Sequence, residues 1–239
     1  MIVLHDAAAP AATGEALQNY FMDPHNASTG EFWDRQFSRL SQPKYGEQPN
    51  AFLAEQAARL APGSRILVPG DGEGRNGVWL AGLGHAVTTV DASAVGIARA
   101  RALAQRRGVA LEAIQADLAD WHPEPAGFDA VACIYLHLPS TLRTAVHRRL
   151  VQALRPGGLL ILEAFHPDQL PLTSGGPKNP DMLYTLALLR QDFAAGMLEQ
   201  LALETDTVLD EGSGHHGRAQ VTRWVGQRNA APIGDDASA

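Results

Sequence analysis

With 239 residues, 45% hydrophobic and 19% charged, the chain can form one α/β domain with a full core plus short extensions. Its formal net charge of −7, without any basic run, argues against nucleic acid as the main partner, and no apolar run is long enough to span a membrane. The single cysteine, Cys133, excludes an intrachain disulfide, suits a reducing compartment and reads as a small core residue.

Met1 to Thr13 lacks the basic start and apolar stretch of a signal peptide, so a cytoplasmic location is expected. Residues 1–44 read as an extension carrying lid helices, 45–228 as the main domain, and 229–239 as a flexible tail. Helices are predicted at Glu15–Phe21 and Gly30–Leu40. A further helix carries Phe52, Leu53, Ala57 and Leu60 on one face and stops at Pro62-Gly63.

The pattern then alternates. Arg65–Val68 reads as a strand, Asn76–Leu83 as a helix, and Ala86–Val90 as a strand closed by Asp91. Ser93 caps a helix that runs to Arg107 and ends at Gly108. Ala110–Gln115 is a strand, and Phe128–Ile134 is a nearly continuous apolar one, as burial on both faces requires. Pro139 opens a helix that breaks at Arg155-Pro156-Gly157-Gly158, and Leu159–Phe165 is the next strand. A helix is predicted at Asp181 to Ala195. Leu201–Leu209 and Ala219–Gln227 then read as strands joined by a turn too short for a helical crossover, so they pair antiparallel. Strands separated by single helices imply a parallel sheet built by right-handed crossovers.

The densest signal is Val68-Pro69-Gly70-Asp71-Gly72-Glu73-Gly74-Arg75-Asn76-Gly77, a strand turning into a helix through glycines. Such a turn offers free backbone N–H groups and a partial positive charge to a ligand. Gly72 to Gly77 spells G-x-G-x-x-G, and Asp91 stands where a dinucleotide site needs an acid. A nicotinamide cofactor, another nucleotide-like cofactor, or a tight turn that binds nothing are all compatible with the loop alone.

The order of later features narrows this. Asp91 closes the second strand, Ala116-Asp117-Leu118 follows the third, Phe128-Asp129-Ala130-Val131 opens the fourth, and Leu154-Arg155-Pro156-Gly157-Gly158 precedes the fifth. With the glycine loop, these parts resemble the class I S-adenosylmethionine-dependent methyltransferases over Tyr45 to Gln227. The resemblance implies an α/β, Rossmann-like, seven-stranded, mostly parallel sheet with an antiparallel C-terminal strand and helices on both faces. Phe32-Trp33-Asp34, Tyr45 to Leu53, and Val68 to Asn76 are most similar to the tellurite-resistance and thiopurine (thiol) methyltransferases. One departure stands out: members often carry an acid two residues before the first loop glycine, and here that residue is Val68, with Asp71 and Glu73 inside the loop instead.

The resemblance implies S-adenosyl-L-methionine as cofactor, S-adenosyl-L-homocysteine as product, and a small-molecule acceptor, with sulfur or a related chalcogen favoured. No nucleic acid or membrane partner is expected, and the protein would be a monomer or homodimer. Gly70, Gly72 and Gly74 would admit the cofactor against the backbone. Asp91, with Ala92 beside it, would take the ribose hydroxyls, and Asp117 and the Leu118 N–H the adenine. Ile134 and Tyr135 would line the sulfonium, and Trp33 and Tyr45 would cover it. A general base, where the acceptor needs one, is sought among His137, His166, His215 and His216; His137 and His166 follow strands on the rim and are the catalytic candidates. The His215-His216 pair lacks metal-ligand spacing, so no metal is expected. Rival readings are a fold that binds the cofactor without methyl transfer (a sensor or cyclase), an NAD(P)-dependent oxidoreductase, and a protein or RNA methyltransferase. The last is disfavoured by Ile134-Tyr135-Leu136-His137 in place of an Asn/Asp-Pro-Pro-Tyr-like tetrad.

Overall fold

The computed structural model describes residues 28–230. The predicted helix Glu15–Phe21, most of the expected extension 1–44 and nearly all of the tail 229–239 lie outside the described residues. The elements are α1 (Thr29–Ser38), α2 (Ala51–Gln56), β1 (Arg65–Pro69), α3 (Arg75–Gly82), β2 (Ala86–Asp91), α4 (Ala94–Arg107) and β3 (Glu112–Gln115). They continue with β4 (Phe128–Ile134), α5 (Ser140–Ala153), β5 (Leu154–Phe165), α6 (Leu186–Phe193), β6 (Met197–Glu211) and β7 (His215–Arg228).

The seven strands form one sheet in the order β3-β2-β1-β4-β5-β7-β6. The first five pair in parallel, while β7 runs antiparallel to both β5 and β6. Alternate residues of each central strand feed opposite faces, as the two-residue side-chain period demands. Leu67, Val131, Leu160 and Leu162 meet Val146 and Leu150 of α5 and Leu189 and Phe193 of α6. Ile66, Val68, Ala130 and Ile161 meet Phe52 and Leu53 of α2 and Leu80 of α3. Helices therefore cover both faces.

Local chemistry fixes the helix ends near the site. Ser93 accepts from the Gly96 N–H at 2.9 Å and Gly108 closes α4 at φ +66°, as predicted. Asp34 of α1 adds a second cap: its carboxylate accepts from Ser93 Oγ at 2.5 Å and from the Val95 N–H at 3.0 Å. An acid at a helix N-terminus answers the partial positive charge there, and it ties α1 to the domain.

Three local expectations change. The predicted helix Asp181–Ala195 is a 3-10 turn at Pro180–Met182, an extended step, and then α6 alone. Thr185 caps α6 through the Leu188 N–H, while Leu183 and Tyr184 are buried in extended backbone. The break at Arg155-Pro156-Gly157-Gly158 lies inside β5: Leu154 pairs with Phe128 and Leu159 with Ala130, so the four residues loop out as a bulge. The C-terminal hairpin is longer than expected, running from Met197 to Arg228 around Gly212-Ser213-Gly214.

Candidate active site

A cavity of about 390 Å³ opens at the carboxyl ends of β1, β2, β4 and β5. This is where open α/β sheets place ligands. Gly70, Asp71 and Gly72 form its floor, with Asp91 beside them; Ile134 to His137 and Phe165 form the next wall. Phe32, Trp33 and Phe37 of α1, with Tyr45, cover one side, and the Gly175–Asn179 loop and His215 close the other.

The glycine loop is held open by tight neighbours. Gly70 sits at φ +67°, and a Cβ there would lie 2.8 Å from Leu136 Cδ1. Gly74 caps α3 at φ +88°, and its missing Cβ makes room for Ala100 of α4, so it serves helix packing rather than the cavity wall. Gly77, the last glycine of the literal dinucleotide fingerprint, is required because a Cβ would lie 2.6 Å from Asp71 Oδ2.

Asp71 Oδ2 accepts from the Gly77 N–H and from Thr89 Oγ1, both at 3.0 Å, while Oδ1 is buried without a hydrogen-bond partner. Burial pushes this carboxyl up to about 7, against the pull of its two donors. Glu73, the other loop acid, instead accepts from the Lys44 N–H at 2.6 Å and pairs with Arg99 at 2.6 Å, which bolts the Tyr45 segment to α4. Asp91 Oδ2 accepts from the Gly72 N–H and Oδ1 from the Ser93 N–H, both at 2.8 Å. Burial raises its carboxyl despite those donors.

Ala92, Asp117 and Leu118 stand outside the cavity wall. The Ala92 carbonyl packs against Gly30 of α1, where a Cβ would approach to 2.6 Å. Asp117 accepts from the Ala119 N–H at 2.9 Å in its own turn after β3, and the Leu118 carbonyl accepts from Arg149 at 2.8 Å. Ile134 and Tyr135 do line the cavity. Tyr135 holds a left-handed backbone at φ +52°, an uncommon state for a bulky residue, and its ring lies 4.6 Å from that of Phe165. Trp33 stacks on Phe37 at 5.4 Å, and Tyr45 lies 4.4 Å from the His215 ring.

The four histidines part company. His137 borders the cavity, but its Nδ1 bonds the Met182 carbonyl at 2.7 Å and its Nε2 accepts from the Phe165 N–H at 3.4 Å. Desolvation lowers it to about 4, so it is a neutral strut rather than the base the sequence suggested. His166 is likewise removed from that role: it caps its own 3-10 turn by accepting from the Asp168 N–H at 3.2 Å, away from the cavity wall. His216 is 76% exposed and faces Asp210. His215 is buried on the cavity wall, with Nδ1 3.2 Å from Glu211 Oε2.

A methyltransferase-domain family model matches residues 66–158, which contain this loop, Asp91 and β4. The ubiquinone biosynthesis O-methyltransferase of Xanthomonas campestris pv. campestris (strain B100) is 30% identical over 161 residues, 66% of this chain and 65% of that protein. Over these stretches the chain is similar to methyltransferase domains, and its sheet has the class I methyltransferase fold. It spans about 65% of the length of the curated relative it matches. Among solved structures, one from work on the conversion of a disulfide bond into a thioacetal group during echinomycin biosynthesis superposes with a TM-score of 0.70 at 23% identity. It covers 86% of this chain and 95% of that one. TehB from Haemophilus influenzae superposes with a TM-score of 0.61 at 14% identity, covering 84% of this chain and 67% of that one. Both likenesses are of fold.

The cavity also rests on residues that sequence reasoning passed over. Arg75 Nη2 lies 2.8 Å from Glu211, Asn50 Nδ2 donates to Glu211 at 3.0 Å and to Glu163 at 2.7 Å, and Arg223 Nε donates to Glu163 at 2.5 Å. Glu163 is 1% exposed inside the otherwise apolar run Leu159–Phe165 of β5. A lone acid in an apolar run was the available signal, since burial of a charge demands partners. Among the described residues no cluster of His, Cys, Asp or Glu could hold a metal, and no helix is long and apolar enough to cross a membrane.

Proposed function

We propose that this domain transfers a methyl group from S-adenosyl-L-methionine to a small molecule carrying a protic oxygen or sulfur. The observation that carries the reading is Asp71: one buried, unpaired carboxylate oxygen beside open glycine backbone, at the carboxyl end of β1. That arrangement suits the ammonium of an amino-acid tail, and it supplies within the loop the acid that Val68 does not.

Gly70 and Gly72 would then face the cofactor with their backbone. Asp91, already fixed by two backbone donors, would offer its remaining lone pairs to the ribose hydroxyls, with Ala92 alongside. Asp117 and the Leu118 N–H, after neighbouring β3, are the proposed adenine contacts. Bound there, the cofactor supplies a methyl group on a positively charged sulfur. Ile134 and Tyr135 would line that centre, and the rings of Trp33 and Tyr45 would favour it by a cation–π attraction of ~0.5–2 kcal/mol. The α1 cover and the Gly175–Asn179 loop keep water from the acceptor. Ser174 pins that loop to β7 by donating to the Arg218 carbonyl at 2.6 Å.

The relatives' name supports oxygen as the acceptor atom, while the tellurite- and thiol-type motifs support sulfur. Measuring the thermal midpoint with S-adenosylhomocysteine, NADH and NADPH separates the cofactor readings. A native-state ligand at 100 times its dissociation constant adds about 2.7 kcal/mol. A shift with S-adenosylhomocysteine alone, followed by methylated product from phenols or thiols, is expected. A shift with NADH or NADPH alone overturns the reading, and binding without any methylated product leaves a sensor or cyclase.

A further inference from the structure

Glu211 ends β6 and His215 begins β7, so a three-residue turn sets the two residues opposite each other, with His215 lining the cavity and Glu211 behind it. We propose that His215, oriented by Glu211, is the general base of the acceptor site, and that the acceptor is a small phenol-type hydroxyl that arrives protonated. This rests on the methyl-transfer reading above.

The orientation is over-determined. Glu211 is held by Arg75 at 2.8 Å and by Asn50 at 3.0 Å, and these partners with His215 keep its carboxyl ionised, down at about 2 despite burial. A carboxylate only accepts, so the contact at 3.2 Å puts the His215 proton on Nδ1 and leaves the Nε2 lone pair unused. Among the described residues Nε2 has no hydrogen-bond partner. The ring is steadied by Tyr45 at 4.4 Å, Tyr135 at 4.5 Å and Phe165 at 5.1 Å between centroids. Gly175 leaves it room: a Cβ there would lie 2.5 Å from His215 Cδ2.

The groups facing this imidazole are Glu211 from β6, Glu163 from β5, Arg75 from α3, Tyr135 and His137 after β4, and Tyr45 of the cover. Burial lowers its basicity first, Glu211 and Glu163 work the other way, and Arg75 adds to the lowering. The ring is therefore neutral at pH 7, the state a base must be in. His137 cannot serve, because both of its nitrogens are engaged.

The step balances. The acceptor O–H proton passes to His215 Nε2, the oxygen lone pair forms the new O–C bond, and the C–S bond breaks with its electrons kept by sulfur. Glu211 steadies the imidazolium until it returns its proton to water. A phenol ionises near pH 10 and a thiol near 8.5, so the base matters most for the hydroxyl. The aromatic walls also suit an aryl ring.

The test uses wild type, His215→Gln and His215→Ala, with methyl transfer from S-adenosylmethionine to phenols of graded acidity and to thiols. General-base loss predicts a ~100-fold or larger fall in turnover. The fall should be greatest for the least acidic phenols, with imidazole restoring His215→Ala and S-adenosylhomocysteine affinity unchanged in calorimetry. Nitrogen-15 NMR should show wild-type His215 as the neutral Nδ1–H tautomer. An equal loss for all acceptors without imidazole rescue, an Nε2–H tautomer, or no turnover of any phenol by protein that binds S-adenosylhomocysteine would overturn the proposal. Failure of wild type to bind S-adenosylhomocysteine would instead remove the methyl-transfer reading.

Discussion

Two buried histidines in this chain face carboxylates that also hold an arginine. His215 meets Glu211, which binds Arg75 at 2.8 Å; His147 meets Asp192, which binds Arg143 at 2.8 Å. Burial lowers both imidazoles below their ordinary range. Their surroundings differ. The first pair sits where strands end, with its histidine on the wall of a cavity. The second clamps α5 to α6, with Thr144 bonding the same carboxylate at 3.1 Å and the His147 ring stacked on Phe193 at 4.9 Å. The same three groups serve as a packing clamp in one place and as candidate chemistry in the other. What decides is access for a small molecule, not the pair itself.

The largest effect should come from the clamp. Asp192→Ala strands two buried partners and should lower unfolding stability by ~3–5 kcal/mol, read from denaturant curves. S-adenosylhomocysteine affinity at saturating folding conditions should stay as in wild type. A tenfold loss of affinity with stability retained would break the contrast between the two pairs.

A smaller effect belongs to the cavity floor. Asp91→Ala removes the acceptor for the Gly72 and Ser93 N–H groups and any ribose contact. Hydrogen bonds to a charged group are worth ~1.5–3 kcal/mol, so S-adenosylhomocysteine should bind roughly 10- to 100-fold more weakly in calorimetry. Unchanged affinity would remove the ribose assignment.

The two pairs also show what the sequence can and cannot reveal. The sheet was legible because each parallel strand and its helix carry their own periodicity, and Asp91 and the glycine loop are contiguous motifs. Ser93 and Gly108 announced the ends of α4 through local cap chemistry. The Arg75–Glu211–His215 contact joins α3 to the final hairpin, with Arg75 and Glu211 136 positions apart along the chain. No local period encodes such a distance. His137 and His166 were favoured because they follow strands, yet a histidine's role depends on what each ring nitrogen meets: folding brings Met182 and Phe165 to His137, while His166 is taken up by the N–H of Asp168 in its own turn. The helix predicted through Tyr184 failed for a related reason: Tyr184 is fully buried and its hydroxyl accepts from the Leu138 N–H at 2.8 Å, a tertiary demand that outweighs helical propensity.

The smallest effect lies in pH, where the histidines and Asp71 pull in opposite directions. His137, at about 4, and His147 and His215, also lowered from 6.5, stay neutral in the fold while the unfolded chain takes up protons below about 6.5. Their contribution is full above that pH and is lost as pH falls. Asp71 is held at about 7 in the fold against 3.8 unfolded, so between those values the folded state binds the extra proton. Its contribution is full below 3.8 and declines as pH rises to about 7. Asp71→Asn keeps an acceptor for Gly77 and Thr89 but removes the buried charge. The variant's thermal midpoint without ligand should exceed wild type's at pH 8 and approach it at pH 5. Saturating S-adenosylhomocysteine should reverse the order at pH 8, because only wild type can pair its free oxygen with an ammonium. A variant less stable than wild type at pH 8 without ligand would mean that Asp71 is already paired, and the loop would no longer account for the missing acid at Val68.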